Sequence, residues 1–231
     1  MSKYYFSPKP QVVEFVHTKN RIIATAIPCP GTVEVLNSLE IHESRSMHGQ
    51  LPLVWESAKD SNIYDSSGNK WIDFTSTIFV ANIGHANQHL ISSIEKMFEK
   101  KLLATYAYPS KIRSEYLKKL VEFAGSNFQK AFLLSAGTEA TEAAVKLMKM
   151  QGRVAKKKKN IVLSLSGNWH GRTMGAQLLS SNVSQKDWIN SLNTESIQCP
   201  FPYPWEISEE DGAQFAIDSF AELSRKGISP K

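Results

Sequence analysis

The chain has 231 residues, 42% of them hydrophobic and 21% charged, with a formal net charge of +5; this is the profile of a globular chain with a sizeable core, and it excludes a disordered or fibrous one. Its two cysteines, Cys29 and Cys199, belong to no C-x-x-C and lie near no histidine pair, so neither a zinc site nor a disulfide framework is indicated and a reducing, cytoplasmic setting is expected. The start MSKYYFSPKPQVVEF lacks an apolar signal core and no run approaches membrane-spanning length, so no membrane partner is expected either.

Residues 1 to about 50 read as irregular, with helix-compatible pieces and the Pro-Gly punctuation IPCPGT. The stretch NIYDSSGNKWIDF, Asn62 to Phe74, then predicts two strands around a Ser-Ser-Gly-Asn turn. An apolar segment passes through Gly84 and His85 into a helix with Leu90, Ile91, Ile94, Met97 and Phe98 on one face. A second amphipathic helix, from about Ser110 to Ala124, is expected to bury Ile112, Tyr116, Leu120 and Phe123.

The apolar run Ala131 to Leu134 predicts a buried strand that stops at Ser-Ala-Gly-Thr. A helix follows at once, with Ala140, Ala143, Ala144, Leu147 and Met148 at helical spacing and Glu142 and Lys146 as an i,i+4 pair. Gly137 and Thr138 therefore sit where backbone N–H groups are unpaired and the helix dipole is positive. Two readings stay open there. Thr138 caps the helix, or the turn holds an anion such as a phosphate.

The lysines of RVAKKKKN follow the helix, where cations complement its dipole, and no aromatic residues interleave with them to stack bases, so no nucleic acid is expected. Ile161 to Leu165 predicts another buried strand, ending in SGNWHGRT, and a last helix runs from about Ser208 to Arg225. Alternation of strands and helices predicts an α/β fold with a mostly parallel sheet. A right-handed crossover between the two buried strands brings Gly137 and Thr138 beside Trp169 and His170 at the carboxyl edge of that sheet. A phosphate cradle next to an exposed aromatic face suits a planar ring that carries a phosphate.

The paired stretches SAGTEATEAAVKLMKM and NWHGRTMGA, together with NIYDSSGNKWIDFTSTIFVANIGHANQHLISSIEK, resemble class III pyridoxal-phosphate aminotransferases, the group of acetylornithine, ornithine and 4-aminobutyrate aminotransferases. The likeness runs from about Leu53 to Lys231. It implies fold type I of the pyridoxal-phosphate transferases, an incomplete sheet with flanking helices, residues 1–75 being an N-terminal segment with part of a small domain and 76–231 the first part of the large cofactor-binding domain. It also implies pyridoxal 5′-phosphate as cofactor, with Gly137 and Thr138 at its phosphate, Trp169 stacked on its ring, and His170 completing that turn. Ile78, Phe79 and Val80 match a segment lining the substrate entrance, with plain core packing as the other reading. Arg172 lies where some members contact the substrate carboxylate, with a structural arginine paired to an acid as the alternative.

The sequence departs from the family at Ser135-Ala136, where Asn-Ser is usual, at Trp169, where Tyr or Phe is commoner, and at Thr77, where Gly is frequent. No catalytic residue is expected in this chain. The lysine that bonds the cofactor and the acid that faces its pyridine nitrogen are expected beyond residue 231, so the chain reads as the amino-terminal portion of a homodimeric enzyme that moves an amino group from an ω-amino donor to a 2-oxo acid. The alternative is a non-catalytic module that binds a phosphorylated ligand or a partner.

Overall fold

A computed structural model describes residues 6–47, 49–156, 160–189 and 196–228. The chain forms two compact units, Met1–Ser110 and Lys111–Lys231.

The first unit is built on an antiparallel sheet of β1 (Val16–His17), β2 (Ile22–Ile23), β3 (Ser57–Lys59), β4 (Asn62–Tyr64) and β5 (Lys70–Ile72), in the order β1-β2-β5-β4-β3. The predicted hairpin is its centre, with Ile63 opposite Trp71. Its turn is set by Asp65, whose Oδ1 accepts from Ser67 N and Asn69 N, both at 3.0 Å, while Gly68 takes the positive φ of 80° that a side chain would resist. Asn69 is fully buried and ties the turn to a distant segment: Oδ1 accepts from Ala24 N at 2.8 Å, and Nδ2 donates to Thr25 Oγ1 at 2.7 Å and to Asp65 Oδ2 at 2.8 Å. Ile23, Cys29, Leu36 and Ile63 supply the apolar core, and α1 (Thr32–His42) contributes Leu36 to it.

After β5 the chain makes α2 (Ser76–Phe79), a single turn in which all four residues take positive φ, from 47° at Ser76 to 70° at Phe79. No glycine is present to relieve the contact between Cβ and carbonyl that this hand imposes. Asp73 holds the turn from below. Its carboxylate accepts from Thr75 N at 2.9 Å, Thr75 Oγ1 at 2.8 Å, Thr77 N at 3.1 Å and, across the fold, sits 2.7 Å from His85 Nε2. Burial pushes the Asp73 carboxyl up, but the hydrogen bonds from His85, Thr75 and Thr77 outweigh it and hold the pKa at about 2, below the ordinary 3.8. A carboxylate with a depressed folded-state pKa contributes stability that is complete above its unfolded value and lost as pH falls through the folded one. Acid unfolding of the parent followed by circular dichroism is therefore expected to show a loss of stability between pH 3.8 and about 2 that Asp73→Asn lacks. Parallel acid limbs for the two proteins would remove Asp73 from this role.

The predicted helix after His85 is α3 (Gln88–Glu99), capped by Asn87 Oδ1, which accepts from His89 N at 3.0 Å and Leu90 N at 3.3 Å. Its apolar face forms as the periodicity requires, yet Leu90, Ile94 and Phe98 remain exposed.

In the second unit α4 (Lys111–Ala124) likewise leaves Ile112, Tyr116 and Phe123 exposed, so the expected burial of that face is not observed, and Leu120 is only half-buried. Ala131–Leu134 belongs to no strand or helix, and Phe132 is 74% exposed. The cause is non-local: a strand needs neighbours for its N–H and C=O groups, and among the described residues none pairs with this run. Parallel pairing appears instead between β6 (Val162–Leu165) and β7 (Ser196–Cys199), a strand not expected from the sequence, with Val162 opposite Ser196 and Leu165 opposite Cys199. The mostly parallel sheet is thus represented by this pair, and the larger sheet of the chain is antiparallel.

Helix α5 (Gly137–Val154) precedes β6, while α6 (Met174–Leu179) follows it and packs against α5 and β7. Val162, Ala176, Leu179 and Cys199 form the core of this layer. The far end of α5 is clasped to the start of β6: Lys149 Nζ donates to Asn160 O at 2.6 Å, and Asn160 Nδ2 donates to Lys149 O at 2.7 Å. Gly152 leaves room for that amide, since a Cβ there would lie 2.3 Å from Asn160 Oδ1. Of the lysine run, Lys157–Lys159 lie outside the described residues. The last helix is α7 (Gly212–Arg225), which starts four residues after the expected Ser208 because Ser208 and Asp211 close a turn first, with Ser208 Oγ donating to Asp211 Oδ2 at 2.6 Å.

Candidate functional site

At the start of α5 the first helical residue is Gly137, and the N-cap Ala136 has no side chain able to accept from the helix. Thr138 is not a cap: its hydroxyl turns away from its own helix, toward the loop after β6. The N–H groups of Gly137 and Thr138, in the first turn, have no carbonyl four residues back within the helix, and a Cβ added at Gly137 would meet nothing within 4 Å. The junction is open to a ligand there. Glu139 folds back over the preceding residues, with Oε2 accepting from Ser135 N at 2.8 Å. The backbone hydrogen bond from Ser135 holds this carboxyl below its usual range.

Loop 166–173 meets this junction directly. Thr138 Oγ1 lies 2.8 Å from Thr173 Oγ1 and accepts from Thr173 N at 3.4 Å. Gly171 crosses above with a φ of 123°, and a Cβ on it would fall 2.2 Å from Thr138 Oγ1. The sequence expectation that the two loops are neighbours is met, and the close crossing explains why the loop carries a glycine at that point.

The contact has a direction. Glu142, one turn along α5, accepts from Gly175 N at 2.8 Å and from Ala176 N at 3.1 Å. A side-chain hydrogen bond from Thr173 is the main cause that keeps the Glu142 carboxyl below its usual range. An ionised carboxylate only accepts, so Glu142 takes protons that the loop offers. The Thr138 hydroxyl is engaged with Thr173 within the protein, and the free donors of the junction are backbone N–H groups. Among the described residues Glu142 forms no ion pair with the expected Lys146 and meets the loop amides instead.

Trp169 is 55% exposed, and the Arg172 guanidinium lies 5.6 Å from its ring centroid, a cation–π contact that covers one face of the indole. This is a third reading of Arg172, beside a substrate contact and a structural ion pair. His170 is anchored through its backbone, with N donating to Ser180 Oγ at 2.9 Å. Gly137, Thr138, Trp169, His170 and Arg172 thus all belong to one local arrangement in the second unit.

Ile78 and Phe79 belong to the first unit, in the left-handed turn, 64% and 78% exposed, which excludes core packing among the described residues. Ile78 lines an apolar cleft of about 450 Å³ with Trp55, Trp71 and Phe74. Val80, also exposed, follows directly. Sequence reading gave Glu142 only a pairing with Lys146 and missed its contact with the loop, as it missed the contact of Thr173; the available signal was the repeated acid of T-E-A-T-E-A, which places Glu142 three residues after Glu139.

Residues 44–229 match the family described as Aminotransferase class-III. The chain is 31% identical over 154 residues to the ornithine aminotransferase of Saccharomyces cerevisiae, an alignment covering 65% of this chain and 35% of that protein. It is 32% identical over 156 residues to the acetylornithine aminotransferase of Methanocaldococcus jannaschii, covering 67% and 39%. In structure it resembles the taurine:2-oxoglutarate aminotransferase of Bifidobacterium kashiwanohense, solved with PLP and glutamate, at a TM-score of 0.69 and 22% identity over 84% of this chain and 44% of that one. The chain spans well under half the length of each.

Proposed function

Because the chain belongs to the class-III aminotransferase family, we propose that it forms the cofactor-holding part of a pyridoxal-phosphate aminotransferase that takes an amino group from an ω-amino donor and passes it to a 2-oxo acid. The observation that carries this reading is the crossing of Gly171 over Thr138, which puts the exposed Trp169 ring on the same loop as the wall of an open helix N-terminus. The residues present fit the group. The N–H groups of Gly137 and Thr138 at the positive end of α5 would hold a phosphate, and the indole of Trp169 would offer a stacking face for a pyridine ring on the side Arg172 leaves clear.

Pyridoxal phosphate, when bound, supplies an electron-accepting ring that allows an amino group to leave its donor carbon. The chain's own residues bind and orient it. Gly137 and Thr138 fix the phosphate end, Trp169 fixes the plane of the ring, and the tie from Thr138 to Thr173 keeps the two loops in register. Glu139 accepts from the N–H of Ser135, so that amide is not among the donors offered to the phosphate. The lysine and the acid that complete the chemistry are proposed to lie outside these residues. In this reading Ile78 and Phe79 border the substrate entrance and Arg172 the carboxylate end of the substrate.

Thr138 tests the cradle. Thr138→Ala is expected to weaken binding of pyridoxine 5′-phosphate by about 1–3 kcal/mol, since it removes the hydroxyl that ties the loop to the junction. Thr138→Glu should weaken it further, because a second carboxylate beside Glu139 repels the dianion. Pyridoxine phosphate has the ring and phosphate of the cofactor but no aldehyde, so it forms no adducts with surface lysines. Equilibrium titration of the three proteins reads the order directly, and equal affinities would return the junction to a plain helix start. Amino transfer to 2-oxoglutarate from ornithine, acetylornithine or 4-aminobutyrate by a complete protein carrying this segment tests the reaction; no transfer from any of them would overturn the choice of donor class.

A further inference from the structure

We propose that Glu142 is the positioning residue that locks the ring-bearing loop to the phosphate-bearing turn, so that a ligand needing both is bound by a preformed site; the proposal rests on the cofactor-holding reading above. Three observations converge on this side chain. Its Oε1 accepts from Gly175 N at 2.8 Å and from Ala176 N at 3.1 Å, the two amides directly after the loop turns into α6. The position of Gly175 admits no other residue without displacing it, because a Cβ there would lie 2.3 Å from Glu142 Oε2. Thr173, two residues before Gly175, contacts Thr138 at 2.8 Å, so the Glu142 contacts are the second of two ties that hold this stretch to α5.

These contacts fasten the loop at its far end, a few residues beyond Trp169 and Gly171, while the Thr138 contact fastens it at the crossing. A loop held at two points on one helix cannot swing away from that helix without breaking both. Without Glu142, the amides of Gly175 and Ala176 lose their acceptor and the loop is fastened at the Thr138–Thr173 contact alone. The Gly137 and Thr138 N–H groups would be unaffected, since they belong to α5 itself. Glu142 therefore acts through geometry rather than by touching the ligand, and it matters in proportion to how much the ligand uses Trp169. Holding a site together in advance raises affinity by removing the ordering cost at binding.

The test compares two probes on the 231-residue chain: pyridoxine 5′-phosphate, which needs cradle and ring platform, and inorganic phosphate, which needs the cradle alone. Glu142→Ala is expected to weaken pyridoxine phosphate about ten-fold or more while inorganic phosphate changes by less than about two-fold. Glu142→Gln keeps one acceptor oxygen and should fall between parent and alanine variant. In a Trp169→Ala background the further loss from Glu142→Ala should shrink to less than about two-fold, because the platform that Glu142 positions is already gone. Amide exchange at Gly175 and Ala176 should accelerate in Glu142→Ala without any ligand present.

Equal losses for both probes, or full additivity with Trp169→Ala, overturn the positioning role and leave Glu142 a general support of the fold. Should Glu142→Ala fail to fold, the same comparison on Glu142→Gln decides between these outcomes. If the parent chain binds neither probe, the cofactor-holding reading itself fails and takes this proposal with it.

Discussion

Gly171→Ala is expected to weaken binding of pyridoxine 5′-phosphate roughly 100-fold while leaving the chain folded. The added methyl would stand 2.2 Å from Thr138 Oγ1, 2.5 Å from its Cβ and 3.1 Å from its Cα, and the last two cannot move without shifting the first turn of α5. The backbone adds its own resistance, because a φ of 123° is foreign to residues with a side chain and costs about 1–3 kcal/mol. The cheaper escape is for the loop to lift from the helix, which carries Trp169 away from the cradle. An affinity loss of roughly 100-fold, or about 3 kcal/mol, is the expected size, and the melting temperature should move little because the loop lies outside the buried layer of Val162, Ala176, Leu179 and Cys199. Affinity within two-fold of the parent by titration would show that the crossing has no part in the site.

The second large effect is on stability. Asn69→Ala is expected to destabilise the first unit by roughly 3–5 kcal/mol, from leaving Ala24 N, Thr25 Oγ1 and Asp65 Oδ2 without their partner, each worth about 1–3 kcal/mol where water cannot replace it. Ala24 is exposed and Thr25 half-buried, so the buried Asp65 carboxylate, left with a 3.5 Å contact to Trp71 Nε1 at Oδ2, carries the largest share. Asn69→Asp should be worse at neutral pH although it is nearly the same shape, because the donor that faced Asp65 Oδ2 at 2.8 Å becomes a second carboxylate oxygen. Denaturant titrations of the two variants and the parent measure the order. A loss under about 1 kcal/mol for the alanine variant would mean that water replaces the side chain.

What the sequence made legible was whatever depends on near neighbours. The hairpin at Asn62 to Ile72 follows from local alternation and a turn rich in Asp, Ser, Gly and Asn, and it forms as expected. The start of α5 is equally local. What failed depends on partners far along the chain. Ala131–Leu134 has the composition of a strand, but composition does not supply the ladder. Ser196–Cys199 is short and half polar, and it becomes a strand because β6 lies alongside it.

Side-chain roles divide in the same way. Glu142 has Lys146 within reach on its own helix, and only the fold reveals that amides more than thirty residues on are nearer. Asn69 reads as a turn residue, and its bond to Ala24 spans 45 positions. The left-handed turn at Ser76–Phe79 had no local signal at all, since Thr77 and Ile78 are β-branched residues that disfavour it. It persists where Asp73 and His85 impose it.

The clasp between Lys149 and Asn160 bears on how this segment can change over generations. Its reciprocal hydrogen bonds set the separation of the end of α5 from the start of β6, so the intervening connection is relieved of that duty. A connection that only has to reach tolerates growth well, each doubling of its length costing about 0.6 kcal/mol in closure entropy. At Gly152, by contrast, a side chain would have to push the Asn160 amide aside and loosen the clasp itself.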